Sequence, residues 1–185
     1  MPKAQFDRRA VMTGLLALGA ASPGLWPVVA QARPRIGAVA PAFTLYTFDH
    51  RRVTLADLSG KVVVLNYWAT WCGPCKHEMP LIDAYVRQYN KTHTRHDLMV
   101  FAVTVDNTVP DAELQPLADQ LSFPLVTRID GNYGTIDDAV PSNYVIDRSG
   151  VLRYARAAAF DYDSFAATVG PLLAAPAPDL SSGQI

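Results

Sequence analysis

The chain has 185 residues, 50% of them hydrophobic and 18% charged, with a mean hydropathy of +0.08, which excludes a disordered chain too poor in apolar surface to offset its conformational entropy. Sixteen basic against 17 acidic residues give a formal net charge of -1, with none of the basic excess that marks a nucleic-acid or anionic-membrane partner. Two cysteines are too few for a disulfide-rich scaffold or, alone, for a four-ligand structural zinc site, and leave open a staple, a metal clip or a reactive pair.

In chain order, Lys3, Arg8 and Arg9 form a basic head before an uncharged stretch over residues 10–32 that includes the apolar run 11–21. Ala30-Gln31-Ala32 supplies an A-x-A cleavage pattern, so residues 1–32 read as an export signal and the mature chain begins near Arg33. An uncleaved membrane anchor, interrupted by Pro23, Gly24 and Pro27, and twin-arginine export through Arg8-Arg9 remain open alternatives. Cleavage leaves 13 basic and 16 acidic residues, a net charge of -3. Export also places the thiols where disulfides persist, so keeping them reduced requires an electron supply.

A polar lead-in over 33–41 precedes a short strand at 43–45, a turn at 49–51, a returning strand at 52–55 and a helical turn or loop at 56–60. Residues 61–67 form the strongest strand, with Val62-Val63-Val64-Leu65 apolar on both faces as in a buried central strand. Residues 76–90 read as a helix kinked at Pro80, residues 98–105 as a second buried strand, and 110–120 as a helix with Asp111 and Glu113 in its first turn. A short strand at 125–127, a helical turn at 132–136, a hairpin of 142–146 and 151–157 turning at Gly150, and a closing helix at 160–173 follow. The pattern predicts an α/β domain over 33–175 with a mixed sheet covered by helices on both faces, and a disordered tail over 176–185.

Cys72 and Cys75 follow the central strand directly, where an α/β sheet places its chemistry. Two cysteines separated by two residues at a helix N-terminus can close a small disulfide ring, and the free amides of the first turn favour a negative sulfur. Cys72, the N-terminal and more exposed sulfur, is the expected nucleophile, and Cys75 the thiol that resolves the mixed disulfide. Pro74 suits the first helical turn, and Trp71 shields the dithiol. A purely structural disulfide fits poorly, because so small a loop stabilises little.

The run from Gly60 through Asn66-Tyr67-Trp68-Ala69-Thr70-Trp71-Cys72-Gly73-Pro74-Cys75-Lys76-His77-Glu78-Met79-Pro80, with Ala40-Pro41-Ala42-Phe43-Thr44-Leu45 before it and Tyr144-Val145-Ile146-Asp147 after it, resembles the TlpA/ResA-like exported thiol-disulfide oxidoreductases of the thioredoxin superfamily. The resemblance covers most of residues 36–170 and implies a thioredoxin fold with an N-terminal β-hairpin extension. It also implies a cis peptide between Val140 and Pro141, facing the cysteines, where the Val140 backbone could pair with an extended substrate. With it come exported disulfide-containing proteins as substrates, apocytochrome c among them, a membrane electron donor, and neither cofactor nor resident metal.

Where cytosolic thioredoxins carry a buried Asp on the central strand, this chain has Asn66, which cannot take a proton. Asp106, at the end of the next strand, and Glu78, grouped with Lys76 and His77 on the open side of the helix, are the candidates for proton transfer, with a solvated strand-end residue as the plainer reading of Asp106. The Gly73-Pro74 dipeptide matches thioredoxin rather than the oxidant DsbA, whose potentials of roughly -270 and -120 mV differ by about 7 kcal/mol for two electrons. The nucleophile pKa difference accounts for only about 4.8 kcal/mol of this. The dipeptide therefore biases the site toward reduction without fixing it.

Two other chemistries use the same cysteines. A thiol peroxidase would place its cysteine in a P-x-x-x-T-x-x-C loop, whereas Thr70 stands two residues before Cys72. A Cu(I) module could use Cys72 and Cys75 as soft thiolates, with His77 the nearest further ligand. His93 and His96 form H-x-x-H in a polar segment that lacks a third ligand and reads as a solvated loop.

Overall fold

The computed structural model describes residues 32–106 and 108–177. The expected export signal, apart from Ala32, and the expected tail from residue 178 lie outside the described residues. No helix among those described is long and apolar enough to cross a membrane.

The elements are β1 (Phe43–Thr47), β2 (Arg52–Thr54), a 3-10 turn (Ala56–Leu58), β3 (Val62–Trp68), α1 (Gly73–Thr92), β4 (Leu98–Thr104), α2 (Asp111–Gln120), β5 (Leu125–Gly131), β6 (Ser142–Ile146), β7 (Leu152–Arg156) and α3 (Tyr162–Ala174). The strands form one mixed sheet in the order β2-β1-β5-β4-β3-β6-β7. β3, β4 and β5 run parallel, while β6 is antiparallel to β3, and β1 to both β2 and β5. Every residue of β3 is buried, as its unbroken apolar run requires of a strand covered on both faces.

Alternation along the strands sorts the core into two layers. Val62, Val64 and Trp68 of β3 pack with Met79, Ile82 and Val86 of α1, Leu114 of α2, and Phe165 and Val169 of α3. Val63, Leu65 and Tyr67 face the opposite layer, which holds Phe43, Leu45, Leu58, Tyr133 and Tyr144. All three helices thus bury their side chains on one face, contrary to the expectation of helices on both. On the other face, side chains of β1 (Phe43, Leu45) pack with Leu58 of the 3-10 turn and Tyr133 of the loop before β6.

Three further expectations differ from the structure. β5 runs to Gly131, well past residue 127, because β1 pairs with it from Phe43↔Gly131 to Thr47↔Val126. Gly131 has φ +144°, and a Cβ there would lie 3.0 Å from the carbonyl oxygen of Ala42, so the close approach of β1 requires glycine. Residues 132–136 form no helical turn: Tyr133 is buried with its hydroxyl donating to the carbonyl of Pro41, and Ile136 and Ala139 bridge across a two-residue turn. α3 begins two residues later than expected, where Asp161 and Ser164 form a reciprocal capping box worth about 1 kcal/mol.

Candidate active site

α1 starts at Gly73, not at residue 76, because Cys72 is its N-cap and Pro74 sits in the first turn, where no amide donor is needed. Cys72 and Cys75 are joined in a disulfide. The backbone N–H of Cys75 donates to Cys72 Sγ at 3.2 Å. That amide and the helix N-terminus stabilise negative charge on Cys72 in preference to Cys75. Both sulfur-bearing residues are nearly inaccessible, Cys72 at 3% and Cys75 at 0% exposure, so Cys72 is more exposed only by a narrow margin.

Trp71 is 70% exposed beside the disulfide. Asp106, just beyond β4, holds it there: one carboxylate oxygen accepts from Trp71 Nε1 at 3.0 Å, and the other from the backbone N–H and hydroxyl of Thr70 at 2.6 and 2.8 Å. Asp106 is therefore not a freely solvated strand end; it latches the loop that presents Trp71. Replacing Asp106 with Ala is expected to lower stability by about 1–2 kcal/mol, since charge-assisted hydrogen bonds are lost from a half-buried site. Chemical denaturation, together with indole quenching by acrylamide, checks this; unchanged stability and quenching would contradict the latch.

Glu78 lies elsewhere than the sequence suggested. Lys76 and His77 are exposed, but Glu78 is 1% exposed and turned into the core. Its Oε2 accepts from Asn66 Nδ2 at 2.8 Å, and its Oε1 from Asn143 Nδ2 at 2.6 Å and the backbone N–H of Phe160 at 2.7 Å. Burial pushes its carboxyl above the ordinary value of 4.5, against the pull of these three donors. Phe160, packed between Tyr154 and Phe165, is part of the apolar cover that keeps water from the group. Asn66 Oδ1 has no hydrogen-bond partner among the described residues. Asn143 is the site residue that sequence reading missed; its one signal was a polar side chain directly before the strand-forming run Tyr144-Val145-Ile146.

The Val140–Pro141 peptide is cis. Ser142 pairs with Tyr67, so these two residues lie level with the end of β3, where the Cys72 loop begins. Val140 is half-buried and packs against the cluster that contains both cysteines. Gly73 and Pro74 are exposed at the mouth of the site. A groove of about 500 Å³ runs between α1 and α2, bordered by Thr70 and Lys76 and floored by Trp68, Met79 and Leu114; neither cysteine lines it. Trp68 is core, as expected. His93 caps the end of α1 and stacks on Tyr89 with centroids 4.2 Å apart. Among the described residues no three His, Cys, Asp or Glu side chains converge as a metal site.

An N-capped Cys-x-x-Cys disulfide at the carboxyl end of the central strand, beside the segment that leads into the adjacent antiparallel strand, supports thiol-disulfide exchange, and the surrounding fold is thioredoxin-like. By class this is a thiol-disulfide oxidoreductase. The chain belongs to the AhpC/TSA family, whose model matches residues 36–155. It is similar to thioredoxin-like protein YneN of Bacillus subtilis (strain 168), with 32% identity over 123 residues, covering 63% of this chain and 68% of that one. Thiol-disulfide oxidoreductase ResA of Bacillus thuringiensis (strain Al Hakam) is 32% identical over 122 residues, covering 63% of this chain and 66% of that one. The chain thus spans about two thirds of the length of these curated relatives. Among solved structures it resembles a thiol:disulfide interchange protein of the thioredoxin family from Chlorobium tepidum TLS, with a TM-score of 0.57, 26% identity, and coverage of 78% of this chain and 99% of that one. The resemblance first carried by Trp71 to Cys75 and its flanks extends over residues 36–155.

Proposed function

We propose that this protein is an exported reductant of protein disulfides, acting on exported substrates such as apocytochrome c and recharged by a membrane electron donor, with residues 1–32 as its export signal and 33–175 as the working domain. The observation that carries the reading is the Cys72–Cys75 disulfide capping α1, with an amide directed at Cys72 Sγ. The basic head and apolar run of residues 1–32 support export. The Gly73-Pro74 dipeptide supports the reducing direction.

In this mechanism the reduced protein presents Cys72 as a thiolate. A substrate segment lies along the Val140 backbone in extended form, against the exposed face of Trp71. Cys72 Sγ attacks one substrate sulfur, and the other leaves as a thiolate and takes a proton from water. Cys75 then gives its proton to the Glu78 carboxylate, and its thiolate attacks Cys72 Sγ. The bond between Cys72 and the substrate breaks, the second substrate sulfur leaves and is protonated, and the Cys72–Cys75 disulfide is restored. Two electrons have passed from the dithiol to the substrate disulfide.

Equilibration of the purified protein against defined dithiol/disulfide buffers gives its potential. The expected value lies nearer the thioredoxin figure of about -270 mV, and one above about -150 mV would place the protein among the oxidants.

A further inference from the structure

Asn66 on β3 and Asn143 on β6 are register partners in the antiparallel ladder, so both side chains rise from the sheet on the face that α1 covers. Asn143 uses both amide hydrogens and its oxygen there. Nδ2 donates to Glu78 Oε1 at 2.6 Å and to the carbonyl of Ala158 at 3.0 Å, while Oδ1 accepts from Asn66 Nδ2 at 2.9 Å. The contact with Ala158 ties the amide to the loop between β7 and α3, from which the Phe160 N–H also reaches Glu78. Among the described residues, every group hydrogen-bonded to the Glu78 carboxyl is an N–H donor. None of them can accept from a protonated Glu78, which would have to give up a partner to hold its proton.

The other groups around Glu78 are few. Tyr154 of β7 lies close enough for the two charges to repel, and the Arg156 guanidinium stands over the Tyr154 ring, 6.0 Å from its centroid. On α1 itself Cys75 lies one turn before Glu78, and Lys76 and His77 are exposed. No ion pair to Glu78 exists among the described residues. The amides therefore supply the stabilisation that a cation would otherwise give to a carboxylate in an apolar site.

We propose that Asn143 is a positioning residue for the second half of the exchange: by fixing Glu78 Oε1 from the neighbouring strand, it holds the carboxylate in its ionised, proton-accepting form and so sets the pH at which Cys75 is deprotonated. This rests on the reading of Glu78 as the base for Cys75.

The test is stopped-flow reaction of the full, reduced chain with 5,5'-dithiobis(2-nitrobenzoate). The first equivalent of thionitrobenzoate reports attack by Cys72, and the second reports attack by Cys75 on the mixed disulfide. With Asn143→Leu, the pH midpoint of the second phase is expected to rise by about one unit, the loss of one hydrogen bond to a charged group. Asn143→Asp, which preserves shape, should move the midpoint the same way and serves if the Leu variant does not fold, because the last proton of two adjacent carboxyls leaves at higher pH. In a Glu78→Gln background, Asn143→Leu should leave the second-phase profile unchanged. An unmoved midpoint in both Asn143 variants, with Glu78→Gln still slowing the second phase, overturns the role of Asn143 and spares that of Glu78. A shift that persists in the Glu78→Gln background also overturns it. If Glu78→Gln leaves the second phase untouched, the base reading fails and this inference with it.

Discussion

Reduced Cys75→Ala protein is expected to accumulate mixed disulfides with its substrates through Cys72, whereas Cys72→Ala should lose at least about a thousandfold in insulin-disulfide reduction, as removal of a sole nucleophile does. The asymmetry follows from where the helix begins. Cys72 occupies the N-cap and receives the Cys75 amide, so its thiolate is the better stabilised of the two. Cys75 lies inside the first turn and fully buried, where it can reach Cys72 but not a protein substrate. Removing it leaves the first attack intact and blocks the second. Non-reducing gels followed by mass spectrometry read the trapped species. Absence of any adduct in the Cys75 variant, together with retained activity in the Cys72 variant, would reverse the two assignments.

Glu78→Gln carries the second large effect. The resolving step is expected to slow by about a hundredfold near neutral pH, in the range of a lost general base. The same substitution changes how stability depends on pH. Burial raises the folded pKa of Glu78 above its ordinary value of 4.5, so between that value and the raised one the folded chain holds more protons than the unfolded chain. Stability from this group is therefore full below 4.5 and declines as pH rises through the folded pKa. Asp147 acts in the opposite sense: hydrogen bonds from Ser149 and Val151 and the Arg153 guanidinium outweigh its burial and lower its carboxyl below 3.8. Its contribution is present above 3.8 and is lost on acidification through the lowered value. In Glu78→Gln the decline on the alkaline side should vanish while the acid limb remains. Denaturant midpoints measured from pH 3 to pH 9 decide this, and a wild-type decline that survives the substitution would assign it to another group.

Much of the site was legible before any coordinates. The Val62 to Leu65 run announced a buried central strand, and the spacing of Cys72 and Cys75 after it announced redox chemistry. Helical arithmetic also contained the position of Glu78, three residues after Cys75 and four before Ile82 on the buried stripe. Its charged neighbours Lys76 and His77 mask that placement, because local charge points toward solvent where helical period points to the core. The reach of β5 was not visible, since it depends on pairing with β1 across more than 80 residues of chain. That miss had a consequence for the layers. Once β3, β4 and β5 are recognised as successive parallel neighbours, right-handed crossovers put α1 and α2 on the same face. Asn143 depends on long-range register in the same way: nothing local to Ser142-Asn143-Tyr144 shows that Asn66 lies opposite.

The short stretch ahead of β1 bears on how the chain tolerates processing. Gly37 N–H donates to the Leu152 carbonyl at 2.8 Å, Leu152 N–H to the Ala38 carbonyl at 3.0 Å, and Ala40 N–H to the Gly150 carbonyl at 2.8 Å. These contacts occupy the outer rim of β7 at its start, on the side that β6 does not pair. A leader cut near Arg33 would spare all of them. A cut after residue 40 would remove the covering residues and bare backbone groups of the kind that recruit a second chain by strand addition, turning this rim of β7 into a seed for self-association.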